Sequence, residues 1–507
     1  MRRARAGNLL IVLALAVPLA LFLARERQIA GAAGLPLDDS WIHLHFARNL
    51  AEGAGFAYNP GVPVAGSTAP LWTLLLGLAF AVAGPSLLVA KILGVATAVA
   101  AAVATRQAAL DWGATRLAAT GAGVALLWSG ALAWGALSGM EVSLAALLVA
   151  AALVAHAREL VAGVAVLVAL AALARPEALV LAPLLALARP PLPRRLAVFG
   201  LVTVAVVAPA VVFSMSTVGA PVPATALSKV EGGLFGWFAG MREPFWVLLV
   251  GRPGEFTRAW VAWLASMHWL LPVALVLAIA LVWARQGRAL GLPALAVVAH
   301  PLAMALLAPH QGPAFQEGRY SIHLLPLALV VLAVALGAGR WRRAVVMLWL
   351  ALALAQLPSA ADRYAWAVQN INAMQVHLGH WVDAHLPPRA RLALNDVGAI
   401  AYFSRREVID LMGLVTPDVL PYRRQGEDGV TRYLTRVCPD YVIVFPTWFP
   451  RLSAQRSLLE PIYAVRLDHN VVSGGSEMVV YRLLRCERHS GAERAPGRRS
   501  AARAVVR

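Results

Sequence analysis

Asp38-Asp39-Ser40-Trp41-Ile42-His43-Leu44-His45-Phe46-Ala47-Arg48 follows the first long apolar segment of the chain. Only 26 of the 507 residues are Asp or Glu, and 60% are hydrophobic. Two adjacent carboxylates beside such a segment stand at a membrane face, where ionisable groups are costly and usually functional.

The apolar residues come in long Ala/Leu/Val blocks, and 14% of residues are charged. This predicts an α-helical polytopic membrane protein. A transmembrane barrel needs short alternating strands, and these blocks do not alternate. The net charge of +18 lies largely in short clusters between the blocks and in the tail 494–507. It reads as the positive-inside signal plus a solvated tail, not a nucleic-acid footprint. Residues 8–23 follow Met1-Arg2-Arg3-Ala4-Arg5 and precede Arg25-Glu26-Arg27 with no clean small-x-small cleavage site. They are read as a retained helix that starts in the cytoplasm.

Apolar runs fall at 8–23, 69–83, 86–105, 117–135, 141–155, 160–174, 177–188, 196–214, 261–284, 289–308, 320–338 and 343–357. The basic loops 189–195, 285–288 and 340–343 are assigned to the cytoplasm. An inside N-terminus and an outside C-terminus require an odd number of crossings. Run 69–83 is short, opens on Pro70 and ends at Gly84-Pro85, so it is taken as half-inserted, leaving about eleven crossings. The expected organisation is a transmembrane domain over 1–358 with outer loops 25–85 and 215–260. A small extracytoplasmic α/β domain follows over 359–486, then a basic disordered tail over 487–507. Asp38, Asp39, His43, Glu141, Arg175, Glu177, Lys229, Glu231, His310, Glu317 and Arg319 then share the outer side.

Asp38 can cap a helix starting at Asp39 or Ser40 and ending at Gly53, on which Asp39 and His43 share a face. One aspartate suffices for a cap, so the pair also reads as a general base, or as Asp39 and His43 holding a metal. The turn-rich stretches 53–61 and 66–72 carry Phe56, Tyr58 and Trp72, which predicts a structured loop packed on the bilayer surface. In Ser138-Gly139-Met140-Glu141, Glu141 can cap the next helix. Arg175-Pro176-Glu177 opens a helix with an arginine, either an anion site or an internal pair. Arg319, in Gln316-Glu317-Gly318-Arg319-Tyr320, either snorkels or binds phosphate; Lys229, in Ser228-Lys229-Val230-Glu231, is a further phosphate candidate. Lys91 reads as a snorkelling side chain. No P-loop, dinucleotide-binding glycine turn, His-Glu-x-x-His or Gly-x-Ser-x-Gly motif is present.

From about Ala361 the apolar blocks stop. Tyr364–Leu386 reads as an amphipathic helix, 391–396, 440–446 and 478–483 as strands, and 399–403 and 430–436 as short helices. Asn395-Asp396-Val397-Gly398 sits at a strand end, where α/β sites form. Cys438 and Cys486 can pair if this region is extracytoplasmic.

The strings Asp38-Asp39-Ser40-Trp41-Ile42, Phe46-Ala47-Arg48-Asn49-Leu50-Ala51-Glu52-Gly53, Asn59-Pro60-Gly61 and Pro70-Leu71-Trp72 resemble the first outer loop of prokaryotic GT-C membrane glycosyltransferases. Ser138-Gly139-Met140-Glu141, Arg175-Pro176-Glu177, Gly318-Arg319-Tyr320 and Asn395-Asp396-x-Gly398 follow in the same order. The nearest resemblance is to mycobacterial terminal arabinofuranosyltransferases and their bacterial cousins. It implies a bacterial inner-membrane enzyme moving a sugar, with inversion, from a polyprenyl-phosphate donor to a cell-envelope glycan or lipid among the membrane lipids. Asp38 or Asp39 would deprotonate the acceptor. Arg175, Arg319 and Lys229, or a divalent cation (magnesium or manganese), would balance the leaving phosphate, with His43, Glu141, Glu177 and Tyr320 in support. Where relatives often carry Tyr-Ile-x-x-Arg-Tyr this chain has Trp41-Ile42-His43-Leu44-His45-Phe46, and Ala65-Gly66-Ser67 also departs from the pattern. A lipid or solute transporter or flippase would place ionisable groups at mid-membrane and repeat internally; neither is seen. A non-catalytic scaffold with a binding domain leaves the acidic pair unexplained.

Overall fold

The computed structural model describes residues 2–486 except 191, 231, 239, 338 and 485. Glu231 and the tail 487–507 lie outside the described residues. All twelve apolar runs form helices. Among the described residues, six helices are long and apolar enough to cross a membrane: Arg5–Ala30, Leu87–Asp111, Pro193–Val218, Arg288–Leu307, Phe315–Leu336 and Arg342–His385. Two bent pairs raise this to eight: Arg116–Leu127 with Gly130–Leu137, at 54°, and Val247–Met267 with Leu271–Gln286, at 101°. Pro70–Ala83, Val142–Ala157, Val161–Ala174 and Pro176–Leu187 are shorter apolar helices. The chain is a multi-pass membrane protein. Short polar residues start several of these helices: Ser86, Thr115 and Ser129 each accept a backbone N–H from the first turn.

Lys91 does not snorkel. Its Nζ meets the Glu26 carboxylate, which also accepts the Gly34 N–H at 3.0 Å and the Tyr364 hydroxyl at 3.4 Å. A buried charge inside an apolar bundle must be paired, and this pair ties the first helix to Leu87–Asp111 and to the long helix Arg342–His385.

That long helix spans 44 residues and passes through Pro358, so the boundary expected at 358/359 falls inside it. It leads into a five-stranded sheet of β1 (Arg391–Leu394), β2 (Glu407–Asp410), β3 (Tyr441–Val444), β4 (Leu459–Arg466) and β5 (Glu477–Leu483), in the order β2-β1-β3-β5-β4. β1 runs parallel to β2 and β3, whereas β5 is antiparallel to β3 and β4. Cys438 and Cys486 form a disulfide, with Cα atoms 5.6 Å apart.

The helix Asp38–Ala51 is buried on nearly every side. It is sandwiched between Pro70–Ala83 and the helix Ala399–Ser404 of the C-terminal region. The loop after it is structured as expected and packs on the C-terminal region. Tyr58 donates to the Val397 carbonyl. The Asn59 side chain accepts from Val408 N at 2.9 Å and donates to Val408 O at 2.8 Å, pairing with the free edge of β2.

Candidate active site

Asp38 and Asp39 are neighbours with opposite engagements. The helix begins at Asp38 itself, after an extended Leu37. The Asp38 carboxylate accepts the backbone N–H of Gly398 at 2.7 Å and of Ala399 at 2.8 Å. It therefore caps Ala399–Ser404 and not its own helix, which corrects the sequence expectation. Gly398 permits the approach, because a Cβ there would lie 2.0 Å from the Asp38 backbone oxygen. Burial pushes the Asp38 carboxyl up to about 6, the two N–H donors opposing and Asp39 adding to the rise. Asp396, at the end of β1, takes an N–H from Gln375 at 2.8 Å. Burial, and then the nearby Asp38, push Asp396 well above the usual range.

Asp39 instead faces the helix bundle. Its Oδ2 lies 2.8 Å from Nη1 of Arg319, with 35% of its side chain exposed against 4% for the arginine. Burial alone would raise this carboxyl, but the Arg319 guanidinium and then Lys229 hold it well below the usual carboxylate range.

Arg319 is aimed by an uncommon backbone. Gln316, Glu317 and Gly318 take φ of 48°, 60° and 75° in succession. For the two non-glycine residues this conformation costs about 1–3 kcal/mol each. It is held in place by Arg363, whose Nε and Nη2 reach the Glu317 carboxylate at 2.7 and 2.9 Å, and by Trp263 Nε1, which donates to the Glu317 carbonyl at 3.1 Å. A Cβ on Gly318 would lie 2.2 Å from the Trp263 ring. Gly318→Ala is expected to destabilise the protein by about 1–3 kcal/mol through overpacking, seen as a lower thermal unfolding midpoint. An unchanged midpoint would show that the turn yields freely.

Tyr320 lies between two arginines. Arg319 Nη2 donates to its hydroxyl at 3.0 Å, and the Arg175 guanidinium is 4.6 Å from its ring centroid. Arg175 is buried and paired with Glu141, and with Glu177 at 3.2 Å. The other Glu141 oxygen faces His43 Nε2 at 3.4 Å. His43 Nδ1 faces Thr73 Oγ1 at 3.2 Å and Ser67 Oγ at 3.4 Å. Burial lowers the His43 pKa, so the ring is neutral at pH 7. Lys229 is half-buried, its backbone N–H donates to the Ala226 carbonyl at 3.2 Å, and its side-chain charge acts on Asp39, His43 and Tyr320.

Asp39, Arg319, Tyr320, Arg175, Glu141, Glu177 and His43 thus form one run of contacts with Lys229 beside it, whereas Asp38 belongs to the docking of the C-terminal region. Arg175, a phosphate candidate by sequence, lies between two glutamates. Asp39 and His43, the candidate metal pair, gain no third ligand: among the described residues no three His, Cys, Asp or Glu side chains converge on a metal-binding geometry. Ser67, Thr73, Trp263 and Arg363 were not singled out by sequence. Ser67 and Thr73 are short hydroxyls in an apolar setting, a weak signal; Trp263 and Arg363 gave none.

Solved membrane proteins have a similar fold. ArnT from Cupriavidus metallidurans, in a structure bound to undecaprenyl phosphate, superposes with a TM-score of 0.61 at 12% identity, covering 93% of this chain and 97% of that one. The fold is GT-C. The Archaeoglobus fulgidus oligosaccharyltransferase, solved with zinc and sulfate, matches with a TM-score of 0.56 at 13% identity, over 92% of this chain and 73% of that one. The same archaeal enzyme, AglB, in complex with an inhibitory peptide and a dolichol-phosphate, matches with a TM-score of 0.56 at 12% identity, over 90% and 73%. Within the GT-C frame, residues 367–481 match the model of a domain of unknown function (DUF8728). No curated protein sequence matches the chain.

Proposed function

We propose that this protein is an inverting glycosyltransferase of a bacterial inner membrane, transferring a sugar from a polyprenyl-phosphate donor to an extracytoplasmic glycan or lipid. The observation that carries the reading is the part-exposed Asp39 set against Arg319, with the positive charge of Lys229 beside it. The acceptor hydroxyl oxygen attacks the anomeric carbon and its proton passes to Asp39. The bond from that carbon to the phosphate oxygen breaks, and its electron pair leaves with the polyprenyl phosphate. Lys229 and Arg319 balance the charge that develops there. A donor phosphate competes with Asp39 for Arg319, which raises the basicity of the carboxylate when the hydroxyl must be deprotonated. Arg175, held by Glu141 and Glu177, positions Tyr320 and through it Arg319, and His43 braces Glu141. The N-terminus is cytoplasmic, the C-terminal α/β region extracytoplasmic. Eight spans with three of the shorter apolar helices also crossing give eleven, and the disulfide fits an oxidising compartment. The similarity of the outer-loop strings to terminal arabinofuranosyltransferases favours a pentose donor.

Mass analysis of envelope glycolipids in a deletion strain, complemented by wild type or Asp39→Asn, tests the reading. The missing glycoform should return only with wild type; restoration by Asp39→Asn would remove its basis. The pH profile separates the two aspartates. A base must be ionised, so activity is lost as pH falls through its pKa. With Asp39 as base, kcat/KM should stay flat from pH 8 down to about pH 5. An acid limb centred near 6 would assign the base to Asp38.

A further inference from the structure

At the opposite end of the bundle from Asp39, a cavity of about 380 Å³ opens between the helices Arg116–Leu127, Leu271–Gln286, Leu325–Leu336 and Arg342–Ile371. Its walls are apolar and rich in small residues, among them Ala122, Ala278 and Ala333. From Ala274 to Leu281 the lining runs two helical turns, about 10 Å of depth. Leu277, Leu281 and Val345 line it and are exposed, so it opens sideways onto the bilayer. Trp349, stacked on the buried His268 at 3.8 Å, forms part of the wall.

The mouth is basic. Arg285 Nη1 donates to the Ala335 carbonyl at 2.9 Å, and Arg342 Nη1 donates to the Gly337 carbonyl at 3.3 Å. Both guanidiniums are thereby held at the end of the helix whose Ala335 and Leu336 line the cavity. Arg342 Nε is buried without a hydrogen-bond partner among the described residues. Arg343 and Arg116 start helices at the same end, and the connecting segments 113–116, 285–288 and 337–343 contain no Asp or Glu. Clustered arginines over an apolar intramembrane slot match an anionic phospholipid: phosphate at the mouth, one acyl chain inside.

We infer that this cavity is a binding site for an anionic phospholipid of the cytoplasmic leaflet, separate from the outer-face site and independent of the glycosyltransferase reading. The test is native mass spectrometry of the full-length protein in detergent, titrated with phosphatidylglycerol or with phosphatidylcholine of the same chains. Two arginines each contributing about a factor of five give phosphatidylglycerol an advantage of about twenty-five-fold. Arg285→Ala with Arg342→Ala should abolish the preference. Leu281→Trp, a change on the lipid-exposed rim, should reduce retention of both lipids. Equal retention of the two lipids by wild type would overturn the inference. So would a preference that survives the double arginine change, retention unaffected by Leu281→Trp, or displacement of phosphatidylglycerol by equimolar undecaprenyl phosphate.

Discussion

Asp39→Asn should lower turnover by about 10²–10⁴-fold, the range for removing a general base, while the protein stays folded. Asparagine keeps the shape and can still direct its side-chain oxygen at Arg319, so packing around the 2.8 Å contact changes little. What is lost is a carboxylate able to take a proton. The Asp39 side chain is part-exposed but Arg319 is buried, so loss of the charge beside the guanidinium should cost about 1–3 kcal/mol, an amount the fold tolerates. Initial rates and thermal unfolding on the same purified samples check both halves. A large stability loss with a matching rate loss would show Asp39 to be structural.

Asp38→Ala should do the reverse, unseating the C-terminal region and removing activity only as a consequence. The carboxylate satisfies two buried N–H groups at a helix start. Hydrogen bonds to a charged group contribute about 1.5–3 kcal/mol each, and orphaned donors keep their desolvation penalty. The expected destabilisation is about 3–6 kcal/mol on that scale. Gly398→Ala attacks the same joint from the other side, since its Cβ would meet the Asp38 backbone oxygen at 2.0 Å. Both changes should raise hydrogen exchange in 399–404 and in 38–51 together. Exchange that rises in one segment alone would show that the two helices are not held by this contact.

Much of the architecture was legible because long apolar runs leave few alternatives inside a bilayer. Each of the twelve runs is helical, yet length alone did not show which bend. The 101° break after Met267 was marked only by Pro272, in the first turn of the helix that follows. The long helix was misread at its middle, since Pro358 and the polar residues beyond it look like a terminus. In the sheet, the three strands read from sequence, β1, β3 and β5, are the three inner ones. The two missed, β2 and β4, are the edges: one is four residues long, and the other carries Pro461 and a largely exposed face. Edge strands lack the continuous apolar signature of buried ones. Asp39, Arg319, Arg175, Glu141 and His43, which lie in one run of contacts, stood out because charge is scarce in this chain. The separate duty of Asp38 was not legible, because its partners, Gly398 and Ala399, are 360 residues away and offer only backbone.

The most direct test of the account is release of polyprenyl phosphate by the purified protein. It would be incubated with a panel of polyprenyl-phosphate monosaccharides and an envelope extract from a deletion strain as acceptor. The account predicts sugar-dependent release and a labelled extracytoplasmic product of inverted anomeric configuration with wild type, and neither with Asp39→Asn. Equal release by both proteins, or a product of retained configuration, would contradict it.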